Sequence, residues 1–132
     1  MASSRRAVHA DAAPAAVGAY SHAVAIDGTL LFCSGQIPLD PDNGELVEGG
    51  AGEQATRCLE NLQAVCQAAG TELSNAVRVG VFLTDLAGDW AEVNAAYERF
   101  FDSEPPARAA VGVAQLPRAA RVEIDAIVAL PQ

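Results

Sequence analysis

The sequence predicts an α+β fold, a mixed β-sheet with two helices packed on one face. Three observations predict it. Segments 53–69 and 89–101 repeat apolar residues with the 3.6-residue period of a helix. Shorter segments around them alternate apolar and small or polar residues with the period of a strand. The order along the chain is strands, helix, strand, helix, then two strands, with no linker or repeat to divide it. A single domain over 1–132 is therefore expected, beginning with an Ala-rich, weakly patterned segment 1–16.

That first segment reads as a frayed start or a short edge strand. Residues 23–33 are β-prone around Asp27-Gly28 and predict a hairpin. Asp40-Pro41-Asp42-Asn43-Gly44 is a second turn, Asn-Gly supplying positive φ. Over 53–69, Ala55, Cys58, Leu59, Leu62, Val65, Cys66 and Ala69 form one stripe, closed by Gly70. Val77, Val79, Val81 and Leu83 then alternate with Arg78, Gly80, Phe82 and Thr84 in a strand. Asp89 and Glu92 have the spacing of a capping box, and Trp90, Val93, Tyr97, Phe100 and Phe101 form the second buried stripe. Pro105-Pro106 ends that helix. Strands over about 107–115 and 121–128 follow, read as a hairpin around Leu116-Pro117.

Parity in this last pair places Val111, Val113, Val122, Ile124 and Val128 toward the helices. It places Arg108, Ala110, Gly112, Ala114, Arg121, Glu123, Asp125 and Ile127 on the other face, with Phe82. No helix remains to cover that face, and uncovered apolar surface marks an interface. A homo-oligomer is the expectation. The small residues beside Arg108 leave room above the sheet, so a cleft holding an arginine and a carboxylate is the first functional clue.

Composition removes several function classes. The eight basic residues are all Arg, so no lysine exists for a Schiff base or a Walker-type phosphate loop. A net charge of −9 disfavours binding to nucleic acid, where affinity comes from cations on phosphates. No apolar run approaches the ~20 residues that span a membrane. Cys33, Cys58 and Cys66 are odd in number and lack C-x-x-C spacing, which argues against a disulfide framework or zinc site and for a reducing, cytoplasmic setting. Gly49-Gly50-Ala51-Gly52 lacks the residues of a phosphate loop, and His9 and His22 have no partner at ligand spacing.

Six segments together carry a resemblance: GAYSHAV at 18–24, SGQIPLDPDNGEL at 34–46, CLENLQAVCQAAG at 58–70, VNAAYERFF at 93–101, PPARAAVGVAQLP at 105–117 and RVEIDAIV at 121–128. In order and spacing the chain resembles the Rid (YjgF) family of reactive intermediate, imine/enamine, deaminases, from about Val17 to Ala129. The resemblance implies a chorismate-mutase-like fold and a homotrimer with sites between subunits. It implies hydrolysis of 2-iminopropanoate and 2-iminobutanoate to 2-oxo acids and ammonia, without metal or organic cofactor.

By the same resemblance, Arg108 is the essential arginine, whose planar guanidinium suits bidentate binding of a carboxylate. Glu123 is the residue that orients or activates water; on pattern alone it reads equally well as a strand carboxylate paired with Arg121. Tyr20 helps enclose the substrate, and Ser34 with Gly35 forms a loop that can meet it. Ala110 lines the pocket wall, and Asn94 lies near the pocket or makes a structural hydrogen bond. Ala110 stands where many deaminases have Cys, Gly112 where many have Glu, and Ala19 where Pro is common. These departures bear on substrate preference. A trimer that binds small carboxylates without turnover is the alternative, and a ribonuclease is a third reading that the charge disfavours.

Overall fold

The computed structural model describes residues 4–101 and 103–131. Residues 1–3 of the N-terminal segment lie outside the described residues. Strand β1 (Ser4–Val8) pairs antiparallel with β2 (Ala23–Asp27), so the short edge strand is the reading the structure supports. Strand β3 (Leu30–Gln36) leads through the turn at 40–44 to helix α1 (Ala51–Ala68). Strand β4 (Ala76–Leu83), helix α2 (Leu86–Glu98), strand β5 (Ala107–Gly112) and strand β6 (Val122–Ala129) complete the chain.

The main sheet has the order β3-β6-β4-β5. Strand β4 pairs parallel with β5, joined by α2, and antiparallel with β6. Both expected hairpins are absent. Strand β2 pairs with β1 while β3 pairs with β6, so Asp27-Gly28 is a crossing between sheets. Likewise β4 lies between β5 and β6. Turn residues reveal a reversal of the chain, but partner choice depends on which edge is already occupied.

One face of the sheet is dry. Val79, Val81, Leu83, Val122, Ile124 and Val128 are fully buried against Leu59, Leu62 and Cys66 of α1 and Val93 and Tyr97 of α2. Each such side chain contributes ~1.5–3 kcal/mol on leaving water. Cys58 and Cys66 are buried as expected of apolar residues, whereas Val65 and Ala69 of the same stripe are exposed. Burial pushes both thiols up to about 12.

Two local expectations need correction. Helix α2 begins a turn before Asp89: Asp85 caps it by accepting from the Gly88 N–H at 3.0 Å. Asp89 is instead buried and held by the Arg121 guanidinium at 2.6 Å, so Arg121 turns to the helix side and is not the partner of Glu123.

The parity of β5 is also reversed. Val79, Val81 and Leu83 pair with Arg108, Ala110 and Gly112, so these three share the helix face. Val111 is on the open face and 42% exposed. The reason is that β5 has only one large apolar residue, too little to set its own facing. The register with the apolar strand β4 sets it instead. The open face carries Phe82, Ile127, Glu123 and Asp125 as expected, together with Val111 and a 71% exposed Phe32 opposite Ile127.

Candidate functional site

Arg108 extends from edge strand β5 beneath α2, where three side chains of that helix receive it. Trp90, Asn94 and Tyr97 follow a four- and three-residue spacing, which places them on one helical stripe. The Arg108 Cζ lies 4.8 Å from the Trp90 ring centre and 4.7 Å from that of Tyr97. Tyr20 stands 5.4 Å away and completes an aromatic cage. Arg108 Nη1 donates to Asn94 Oδ1 at 2.8 Å, and Asn94 Nδ2 donates to Glu98 Oε1 at 3.2 Å. Asn94 therefore orients the guanidinium through its acceptor while its donor is held from behind.

No carboxylate lies within ion-pair distance of Arg108 among the described residues. Burial pushes its guanidinium below the ordinary arginine value, against the opposing pull of Tyr97, Tyr20 and Glu98. Arginine stays protonated even so. A half-buried, oriented guanidinium with unused donors has the geometry to accept a carboxylate through two parallel hydrogen bonds.

The loop bearing Tyr20 is fixed from both ends. Ser21 is buried, its hydroxyl donating to Pro105 O at 2.6 Å and its N–H to Pro106 O at 3.2 Å. Tyr20 Oη accepts from the Val17 N–H at 3.4 Å. Gly18 allows a close approach here, since a Cβ on it would lie 3.0 Å from Arg108 Nη2 and would press on the guanidinium. His22 is a hydrogen-bonded pin, with Nδ1 accepting from the Ala10 N–H at 2.9 Å and Nε2 2.6 Å from Pro14 O.

Ser34, Gly35 and Glu123 form a second group, on the other side of the sheet. The β3–β6 register slips between Cys33 and Gln36, a bulge that contains Ser34 and Gly35. A Cβ on Gly35 would collide with Glu123 Oε2, so glycine lets the carboxylate lie against the bulge. Glu123 pairs with Phe82, and Phe82 with Val111, which places the carboxylate on the open face.

The structure thus brings Tyr20, Asn94, Arg108 and Ala110 together and sets Ser34, Gly35 and Glu123 together, but it does not join the two groups within one chain. The shared face expected for Arg108 and Glu123 came from the reversed parity of β5. Trp90, Tyr97 and Gly18 were not foreseen as site residues. A polar Asn94 inside the apolar stripe of α2 was the signal that could have found the first two.

Among the described residues, no group of three or more His, Cys, Asp or Glu could hold a metal ion. None of the described helices is long and apolar enough to cross a membrane.

Comparison with known proteins adds an independent line. The family model described as Endoribonuclease L-PSP matches residues 10–130. A curated relative, Protein DfrA of Myxococcus xanthus, is 55% identical over 93% of this chain and 94% of its own length. The rat protein named 2-iminobutanoate/2-iminopropanoate deaminase is 46% identical over 93% of this chain and 88% of its own. The crystal structure of RidA from the Antarctic bacterium Psychrobacter sp. superposes with a TM-score of 0.74 at 43% identity, covering 95% of this chain and 99% of that one.

Proposed function

The chain belongs to the Endoribonuclease L-PSP family, the Rid proteins, and we propose that it hydrolyses small 2-imino acids to 2-oxo acids and ammonia. The observation that carries this reading is the caged guanidinium of Arg108, oriented by Asn94 and without a carboxylate partner among the described residues. The substrate carboxylate supplies that partner through two parallel hydrogen bonds.

The working site is assembled from two copies in a homotrimer. One copy contributes Arg108, Tyr20 and Asn94; a neighbour contributes Glu123, Ser34 and Gly35. Two features support this division. The groups lie on opposite sides of one sheet, and the open face that carries Glu123 presents Phe32 and Val111 to solvent in the isolated chain. Burying such a face against a different patch of the next copy in a closed ring removes apolar area from water at ~25 cal/mol per Å².

In the reaction, Arg108 holds the carboxylate and so fixes the adjacent C=N carbon. Glu123 takes a proton from water as the water oxygen bonds to that carbon. The C=N π electrons move to nitrogen, which takes the proton that Glu123 has just accepted. The resulting carbinolamine collapses: the hydroxyl proton passes through Glu123 to the amine nitrogen, and as the C=O bond forms the C–N bond breaks and ammonia leaves. Both steps are acid–base chemistry that one carboxylate and water can serve.

The test is a coupled assay. Added to a serine or threonine dehydratase reaction, the protein should accelerate appearance of the 2-oxo acid from the released imine. Tight binding of 2-oxobutanoate with no acceleration would instead identify a small-carboxylate-binding protein.

A further inference from the structure

We propose, building on the reading of Arg108 as carboxylate anchor, that an apolar cleft beside it selects 2-imino acids with large aliphatic or aromatic side chains over 2-iminopropanoate. The cleft lies between the first turns of α2 and strand β5, measures about 400 Å³ and is lined by Leu86, Ala87, Trp90 and Ala110. No charged side chain is in that lining. Two of its walls adjoin the anchor: the Trp90 ring stands against the guanidinium, and Ala110 follows Arg108 on the same face of β5.

Residues two apart on a strand are ~6.6 Å apart. A substrate whose carboxylate sits on Arg108 can therefore run its carbon chain across the Ala110 methyl and into the cleft. Position 110 decides the depth, because any larger side chain there would occupy the path. Leu86 borders the groove and approaches β5 closely: a Cβ on Gly112 would lie 3.4 Å from Leu86 Cβ. Clefts of ~300–1,000 Å³ hold entire small ligands, whereas the methyl of 2-iminopropanoate would cover little of this surface. Each further buried methylene strengthens binding about fourfold, so an isobutyl side chain gains at least about tenfold over methyl.

The experiment compares imines released in situ by an amino-acid oxidase from alanine, 2-aminobutyrate, leucine and phenylalanine. Dissociation constants of the matching 2-oxo acids are measured beside them. The imine from leucine should exceed 2-iminopropanoate about tenfold or more in kcat/KM, and the 2-oxo acids should bind in the same order. Ala110→Leu should reduce that ratio about tenfold. Ala87→Leu, at an exposed helix position where folding is not at risk, should reduce it in the same direction. A ratio near one in the parent protein, or one that neither variant moves, overturns the subsite. If the 2-oxo acids bind in the proposed order but no imine is hydrolysed, the deaminase reading falls and the subsite stands. If no 2-oxo acid binds, the Arg108 anchor falls and the subsite with it.

Discussion

On the helix side of the sheet, Arg108 exchanges much of its water for three aromatic rings and one amide oxygen. On the open side, Glu123 lies against a glycine bulge and opposite a phenylalanine, with no helix above it. The cation is fully prepared within one chain, while the carboxylate group has one side uncovered. Desolvation explains the difference. A guanidinium is weakly hydrated and stacks on rings, so a single chain can hold it half-buried. In the proposed site, Glu123 gains its second wall from a neighbouring copy.

Removing the prepared cation should have the largest effect. Arg108→Ala should reduce imine turnover about a thousandfold or more, since it abolishes substrate positioning. It should also weaken 2-oxobutanoate binding about 10²-fold by calorimetry. Arg108→Lys should restore neither, because a point charge lacks the fork. Parent-like turnover in Arg108→Ala would place the chemistry elsewhere.

Glu123→Gln should slow turnover by ~10²–10⁴ while leaving product binding nearly intact, since it removes proton transfer and not the anchor. The same variant tests the division between copies. Arg108→Ala and Glu123→Gln subunits, unfolded together and refolded as mixed assemblies, should recover up to about a quarter of parent activity. No recovery from well-formed mixed assemblies would mean that both residues serve from one chain.

The dry face should also appear in alkaline stability. Burial raises the folded-state Cys58 thiol from 9.0 to about 12, and Cys66 behaves alike. The unfolded chain therefore loses these protons first. Their stabilising contribution is full below pH ~9 and declines as pH rises toward ~12, by up to about 1.4 kcal/mol per pH unit for Cys58 and by less for Cys66, whose shift also depends on Cys33. Urea unfolding across pH 8–11 should show this decline, and Cys58→Ala should flatten it. An unchanged slope in that variant would locate the alkaline sensitivity in other groups.

The smallest effect is expected at Asn94. Asn94→Ala should raise KM about three- to tenfold with kcat within about twofold, because the rings still hold the guanidinium. Asn94→Asp should weaken product binding further, by supplying Arg108 with a competing carboxylate. Equal behaviour of the two variants would show that Asn94 only packs.

The two helices, the buried stripe of α1 and the alternation of β4 and β6 were legible because large apolar residues repeat there with a clear period. The motifs around Tyr20, Ser34, Arg108 and Glu123 were legible as a resemblance, and the family match bears out that recognition. Strand partners were not legible, since Asp27-Gly28 and Leu116-Pro117 mark turns without naming the neighbour. Nor was the facing of β5. Its run of Ala and Gly carries almost no hydrophobic signal, so pairing with Val79, Val81 and Leu83 alone turned Arg108 into the cage and Val111 outward. Local pattern determines what a segment becomes. Which side of the sheet a weakly apolar strand shows is decided by the neighbour whose burial is worth more.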